Sequence, residues 1–296
     1  MIEYKGKKII IMCCSQCNMS CEHCYISYTG NRDPEELLEM VKKLKGKYII
    51  ALNGAEVLTN PRYLDSYQEI NQNYILSNGL VFDQNKEIIN QLREHGLDSV
   101  SISYHFGIHD QISKIPAEKL EKIFKRLNQE KFQFRLMTTI TSKNYQMLEE
   151  MCNRSIELGA RGLYLTNYMI QGNAIKNEDS HLVLEEDQIN TFFEQLIRCR
   201  EKFPKDVLLI ERDAGFGKNN LSNHDHFYCP SMNDLVVLAP NNYLYPCIFL
   251  TKDGYEIGKY ENGKCMIQEE YYDMNDGSIC YAKEICNHRK QLIKRR

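Results

Sequence analysis

Three cysteines, Cys17, Cys21 and Cys24, follow one another at intervals of three residues and then two. Thiolates at this spacing can wrap one face of a cubane iron-sulfur cluster, each on a different iron, leaving the fourth iron without a protein ligand. An iron left open in this way is a site for chemistry. A second set, Cys229, Cys247, Cys265, Cys280 and Cys286, lies towards the other end of the chain. Cys229 and Cys247 flank an expected hairpin, an apolar strand 235–239, the turn Pro240-Asn241-Asn242 and a strand Tyr243–Tyr245. Such a hairpin brings its outer ends together, which suits a metal or cluster site.

The chain has 296 residues and twelve cysteines. No signal peptide and no apolar run of membrane-spanning length is evident, so a soluble cytoplasmic protein is expected, where clustered cysteines point to metal or redox chemistry rather than disulfides. Cys152 and Cys199 fall inside expected helices and read as buried structural thiols. With 37 basic and 40 acidic residues the net charge is -3, and nothing in that balance suggests nucleic acid or an anionic membrane as partner. The basic tail from Arg289 to Arg296 reads as a solvated helix end. A structural zinc site remains an alternative for the N-terminal cysteines, since Cys14 to Cys17 and Cys21 to Cys24 form two CxxC pairs. Only three residues separate those pairs, shorter than zinc ribbons use. Otherwise Cys13 and Cys14 end the first strand, one side chain inward and one outward.

The elements that must position these residues alternate regularly. Strands are expected at Lys8–Met12, Tyr48–Leu52, Asn73–Ser77, Ser99–Tyr104, Gln133–Ile140 and Gly162–Asn167, with a seventh strand-like run at Val207–Ile210. Between them, Pro34 starts a helix capped by Asp33 that ends before Gly46. Helices at Lys86–His95, Pro116–Asn128, Tyr145–Leu158 and Glu185–Phe203 repeat the design. Repeated βα units predict an α/β fold with a parallel sheet, a partial (β/α)6 TIM-like barrel over residues 1–217. From residue 218 the rhythm breaks into Asn-, Gly-, Tyr- and Cys-rich text, expected as a small Cys-rich α+β unit over 218–296.

The run Cys-Asn-Met-Ser-Cys-Glu-His-Cys-Tyr at 17–25, placed directly after the first strand, resembles the cysteine loop of the radical S-adenosylmethionine (SAM) superfamily. The resemblance implies a [4Fe-4S] cluster on Cys17, Cys21 and Cys24, with SAM chelating the open iron and being cleaved reductively to a 5'-deoxyadenosyl radical. It implies further cofactor contacts. Tyr25 sits beside the adenine or covers the cluster, and Asn53-Gly54-Ala55-Glu56 looks like the family's Gly-Gly-Glu-Pro segment, departing from it at Asn53, Ala55 and Val57. Ser77, Ser103 and Asn144 hold the methionyl carboxylate or ribose. His105 stands where the family usually has an acid, and Gln171-Gly172-Asn173-Ala174 looks like a turn placed under the adenine.

The C-terminal cysteines resemble the SPASM and twitch extensions of the same superfamily, which implies one auxiliary [4Fe-4S] cluster on Cys229, Cys247, Cys280 and Cys286, with Cys265 as a substitute ligand or a free thiol. A structural zinc or unliganded thiols are the alternatives there. Enzymes with such extensions often modify ribosomally made peptides by epimerisation or by thioether or carbon-carbon cross-links, and that is the reading ranked first. A dehydrogenase or carbon-skeleton enzyme acting on a small molecule is the alternative, and a non-catalytic iron-sulfur or zinc module is the reading from another class. A reductant such as flavodoxin or ferredoxin is an implied partner, and because the first strand begins almost at Met1, a separate leader-peptide-binding protein, a short peptide bound directly in the barrel, or a small molecule is expected. Cys265 is the candidate hydrogen-atom donor. Asp213 and the cluster His224-Asp225-His226 are candidates for substrate contact.

Overall fold

The computed structural model describes residues 1–70, 72–176, 180–216, 229–271, 280 and 282–285. Its strands in chain order are β1 (Ile2–Glu3), β2 (Lys8–Met12), β3 (Ile49–Asn53), β4 (Tyr74–Ser77), β5 (Ser99–Ser103) and β6 (Gln133–Ile140). They continue with β7 (Gly162–Asn167), β8 (Leu209–Arg212), β9 (Leu235–Leu238), β10 (Tyr243–Tyr245), β11 (Gly258–Glu261) and β12 (Lys264–Ile267). β4 to β8 form one parallel five-stranded sheet in chain order, and β2 pairs in parallel with β3. This is the partial TIM-like barrel of α/β class that the alternating pattern predicts.

The helices form where punctuation and apolar spacing direct them. Asp33 Oδ1 accepts from the amides of Glu35 and Glu36, Pro34 occupies the first turn, and Leu37, Val41 and Leu44 of Pro34–Leu44 are fully buried against the sheet. Ala117–Gln129 buries Leu120, Ile123, Phe124 and Leu127 in the same manner. Leu148–Glu157 and Glu186–Lys202 cover the later strands. The expected helix 86–95 is shorter, Ile88–Glu94, and a brief helix Leu80–Gln84 precedes it.

Two features of the sheets lie outside the sequence pattern. β9 pairs in parallel with β2, Ile9 opposite Val236 and Ile11 opposite Leu238, and the antiparallel strands β10 to β12 continue outward until β12 meets β1. The strands expected in a separate C-terminal unit therefore share a sheet with the first barrel strand. Conversely, β3 and β4 share no ladder. Side chains bridge that seam: Gln72 Oε1 accepts from Leu52 N at 2.9 Å, and Gln72 Nε2 donates to the carbonyls of Leu52 (3.2 Å) and Tyr74 (3.1 Å).

Strand register defines the barrel interior. Leu163, Leu165 and Ile210 are buried on the outer face, where Arg212 stacks over the Phe193 ring of Glu186–Lys202. The alternate residues Tyr164, Thr166, Glu211 and Asp213 therefore face the lumen. Met137 and Thr139 of β6 lie beside Tyr164 and Thr166, and Ser103 of β5 lies beside Met137, completing that wall.

Candidate functional site

The cysteine loop leaves β2 at the C-terminal mouth of the barrel, where parallel α/β folds bind ligands. Cys13 and Cys14 follow β2 directly and both are buried. The Cys14 thiol donates to the carbonyls of Gln16 and Glu56 (3.8 and 3.7 Å), so it points into the core and away from a zinc site shared with the loop. Cys17 is exposed, Cys21 and Cys24 are half-buried, and all three are free thiols. Burial raises Cys21 and Cys24, and the charge of Cys21 pushes Cys17 and Cys24 the same way. A bound metal has to displace those protons. Among the described residues, no three or more His, Cys, Asp or Glu are arranged to hold a single metal ion. A cubane, whose cysteines bind different irons, does not require the three sulfurs to meet at one point. The thiol set fits a cluster.

Two clamps hold the loop. The Ile112 carbonyl accepts from Glu22 N (3.3 Å) and lies 2.9 Å from His23 Nδ1, while Asn173 donates its backbone N–H to the Cys24 carbonyl (2.9 Å) and its side-chain Nδ2–H to the Cys21 carbonyl (3.1 Å). Gly172 has φ +54, and a Cβ there would stand 2.4 Å from the Cys24 carbonyl. The turn 171–174 thus packs on the backbone of Cys21 and Cys24. Neither His23 nor Asn173 stood out in the sequence as a clamp. His23 lies inside the second CxxC pair and Asn173 inside the quoted turn, so position was the only available signal.

His105 is held just beyond the end of β5 through its backbone and one ring nitrogen. Its Nδ1 accepts from Thr139 N (3.1 Å), its own N–H donates to His109 Nδ1 (3.0 Å), and the His23 ring meets it edge-on at 4.4 Å. Burial holds His105 well below the ordinary histidine range and His23 down at about 4, so both are neutral near pH 7.

At the end of β3, Asn53 O accepts from Cys13 N, Asn53 Oδ1 accepts from Gly54 N, and Ala55 N donates to the Cys14 carbonyl. A Cβ at Gly54 would lie 3.0 Å from the Cys14 sulfur, so close packing of strand and loop requires glycine. The Glu56 carboxylate is fully buried and accepts from Ser77 Oγ (3.1 Å), Asn78 N (2.7 Å) and Leu58 N (3.4 Å), and burial raises it to about 7. Glu56 and Ser77, both expected to touch SAM, therefore hold each other and tie β3 to β4. Asn78 carries that tie to the loop, its Nδ2 reaching Asn18 Oδ1 at 2.7 Å and Cys17 Sγ at 3.6 Å.

Ser103 is half-buried in the lumen at the end of β5. Asn144 departs from expectation. It is fully buried, Oδ1 accepts from Thr141 N and Oγ1, and Nδ2 donates to the carbonyls of Phe106 and Thr139, so its amide is consumed in shaping the loop after β6. Tyr25 packs edge-on against Phe249 (5.0 Å), and the charges of Cys24, Asp213 and Cys247 all act on it, so this ring lies between the two cysteine sets and the end of β8.

The expected hydrogen-atom donor is also displaced. Cys265 lies on β12 opposite Tyr260, is fully buried in the main core, and its carbonyl accepts from Tyr4 N at 2.8 Å. Strand alternation turns it into that core, away from the loop. Of the C-terminal set, Cys229, Cys247 and Cys280 lie near one another: the charges of Cys229 and Cys247 act on Cys280, that of Cys229 acts on Cys247, and Cys229 Sγ lies 3.4 Å from Ser231 Oγ. Cys286, the cluster His224-Asp225-His226 and the basic tail lie outside the described residues.

Residues 11–154 match the family model described as the radical SAM superfamily. A "Tungsten-containing aldehyde ferredoxin oxidoreductase cofactor-modifying protein" of Pyrococcus furiosus is 24% identical over 178 residues, 52% of this chain and 49% of that protein. Among solved structures, Streptococcus suis SuiB bound to S-adenosylmethionine superposes with TM-score 0.65 at 14% identity, over 86% of this chain and 63% of SuiB. SuiB bound to its precursor peptide SuiA gives 0.67 at 13% identity, over 95% and 66%. The structure of anSMEcpe with AdoMet and a peptide gives 0.62 at 16% identity, over 95% and 82%. The chain spans about half the length of the curated relative and under two thirds of the SAM-bound SuiB chain. Taken with the free thiol triplet at the mouth of a partial barrel, the match over residues 11–154 identifies that stretch as a radical SAM domain, and the solved structures share its fold.

Proposed function

We propose that this enzyme modifies a peptide, by epimerisation or by forming a thioether or carbon-carbon cross-link. The observation that carries the reading is the free Cys17, Cys21 and Cys24 triplet, clamped by Ile112 and Asn173 at a barrel mouth whose fold matches two peptide-bound structures. When bound, a [4Fe-4S] cluster on these thiols supplies the electron that cleaves SAM. The chain's own residues do the rest: the loop clamps fix the thiols, Tyr25 and Ser103 face the bound cofactor, and the lumen wall of Thr139, Thr166 and Asp213 receives the substrate. Cys229, Cys247 and Cys280, with Cys286, hold one auxiliary [4Fe-4S] cluster in a SPASM- or twitch-like unit of residues 218–296. A flavodoxin- or ferredoxin-type reductant completes the system. The name of the Pyrococcus relative favours a second reading, action on a small molecule or cofactor.

The test is iron and sulfide content with electron paramagnetic resonance on anaerobically reconstituted protein, comparing wild type with a Cys17, Cys21, Cys24 triple alanine variant, with and without SAM. Two cubanes predict about eight irons falling to about four in the variant, with a wild-type signal that shifts on adding SAM. Four irons in wild type withdraw the auxiliary cluster, and zinc in place of iron withdraws the radical chemistry. Incubation with candidate peptides and mass spectrometry then decides between peptide and small-molecule substrates.

A further inference from the structure

Glu211 and Asp213 are two carboxylates on the lumen face of the same strand end, and they differ in one respect. Glu211 is paired: Arg135 of β6 reaches it at 2.9 Å while stacking over the Tyr74 ring. Asp213, one lumen layer nearer the mouth, has no cation bonded to its carboxylate among the described residues; the neighbouring Arg212 donates to its backbone carbonyl at 2.9 Å and acts on the carboxylate only through its charge. Its Oδ1 accepts from Gly215 N at 2.8 Å, and its Oδ2 is shielded from solvent with no hydrogen-bond partner. The adjacent Arg212 points to the opposite face, over Phe193. Asn167 locks the turn that holds the carboxylate, donating Nδ2–H to the Gly215 carbonyl at 2.8 Å.

We propose that Asp213 anchors a positively charged nitrogen of the substrate, an ammonium or a guanidinium; this rests on the substrate occupying the lumen as argued above. A desolvated carboxylate oxygen without a donor is costly, and a neutral donor compensates it less well than a cation does. Burial raises Asp213 to about 7, outweighing the backbone N–H groups of Gly215 and Asn167 and the charge of Arg212. The surroundings suit a cation: the Asp213 charge acts on both Tyr25 and Tyr164, so two aromatic rings stand near the carboxylate. Thr139 and Thr166 line the approach, their hydroxyls 3.3 Å apart. The Arg135–Glu211 pair below shows the arrangement this lumen uses when both partners belong to the chain. At Asp213 the substrate brings the cation.

The experiment titrates SAM-loaded, reconstituted protein calorimetrically with Nα-acetyl-lysine amide, Nα-acetyl-arginine amide and the neutral Nα-acetyl-norleucine amide. At least one cationic probe is expected to bind about 10- to 100-fold more tightly than the norleucine probe, and the near-isosteric Asp213→Asn variant is expected to erase the difference. Equal binding of cationic and neutral probes, no binding by any of them, or an unchanged preference in Asp213→Asn overturns the assignment. The wild-type comparison decides alone if the variant does not fold. SAM cleavage is measured on the same wild-type preparation: cleavage without cation preference removes only this anchor, whereas failure to cleave SAM counts against the catalytic reading and leaves the binding result standing by itself.

Discussion

Single buried groups in this mouth trade stability for position, and Glu56 shows the trade most directly. Its carboxylate accepts three hydrogen bonds, yet burial outweighs them and raises it from 4.5 to about 7. The folded state therefore holds a proton that the unfolded chain releases near pH 4.5, so the associated stability is present below that pH and is lost as pH rises towards 7. The whole effect is on the order of 3 kcal/mol. Asp213 is raised to about the same value and acts over the same window. His23 and His105, held neutral by burial, gain stability over the same window and oppose the two carboxyls, so Glu56→Gln is expected to shift the slope of melting temperature against pH between 4.5 and 7 upward relative to wild type in the metal-free protein. Thermal unfolding at closely spaced pH values checks this, and an unchanged slope contradicts it. Asn173 makes a second residue-level case. Asn173→Ala keeps the backbone bond to Cys24 but loses the side-chain bond to Cys21. A bond worth about 1 kcal/mol translates into several-fold faster loss of the SAM-responsive iron to a chelator. The decay of that paramagnetic signal is the measurement, and a rate equal to wild type would show that the backbone contacts suffice.

The elements that carry these groups were legible wherever the information is local. Asp33 and Pro34 start their helix as expected, and the apolar spacing of 117–129 matches its buried face. The cysteine triplet needed only its spacing. Pairing between distant segments has no local signature, so nothing in the text of residues 235–267 says that they extend the sheet of β2. Nor could spacing say that Asn144 spends its amide on Phe106, Thr139 and Thr141, or that Cys265 turns inward. The seam between β3 and β4 is the clearest example, because Gln72 reads as an ordinary polar loop residue and yet supplies the bonds a strand partner would make. Gln72→Ala leaves the Leu52 amide without its partner and the Leu52 carbonyl with only the Tyr67 hydroxyl at 3.3 Å, a cost of about 1–3 kcal/mol. The expected drop in melting temperature is about 2–6 °C. Hydrogen exchange localises the effect: amides of β3 and β4 are expected to lose protection while those of β6 and β7 keep theirs, and uniform loss would mean that the seam is not a local weak point.

At the level of the whole chain, the C-terminal strands and the barrel depend on each other. β9 pairs with β2 along four residues, and Met12 and Tyr28 pack with Val237, Ala239 and Tyr245 in one buried cluster. Arg32 adds a polar lock: buried beside the cysteine loop, it donates to the carbonyls of Met12 (3.3 Å) and Ala239 and to Asn242 Oδ1 (2.7 Å). β12 closes the arrangement by pairing with β1 at the chain's start. An uncompensated buried guanidinium and an unpaired apolar strand edge are each costly. A fragment of residues 1–217 would carry both, because it lacks β9 and the carbonyl and amide that Arg32 uses. It is expected to be insoluble or to unfold without a cooperative transition, while the whole metal-free chain melts in one step by circular dichroism. Two separated transitions in the whole chain, or a cooperatively folded fragment, would instead establish residues 218–296 as an independent domain and assign the shared sheet to docking.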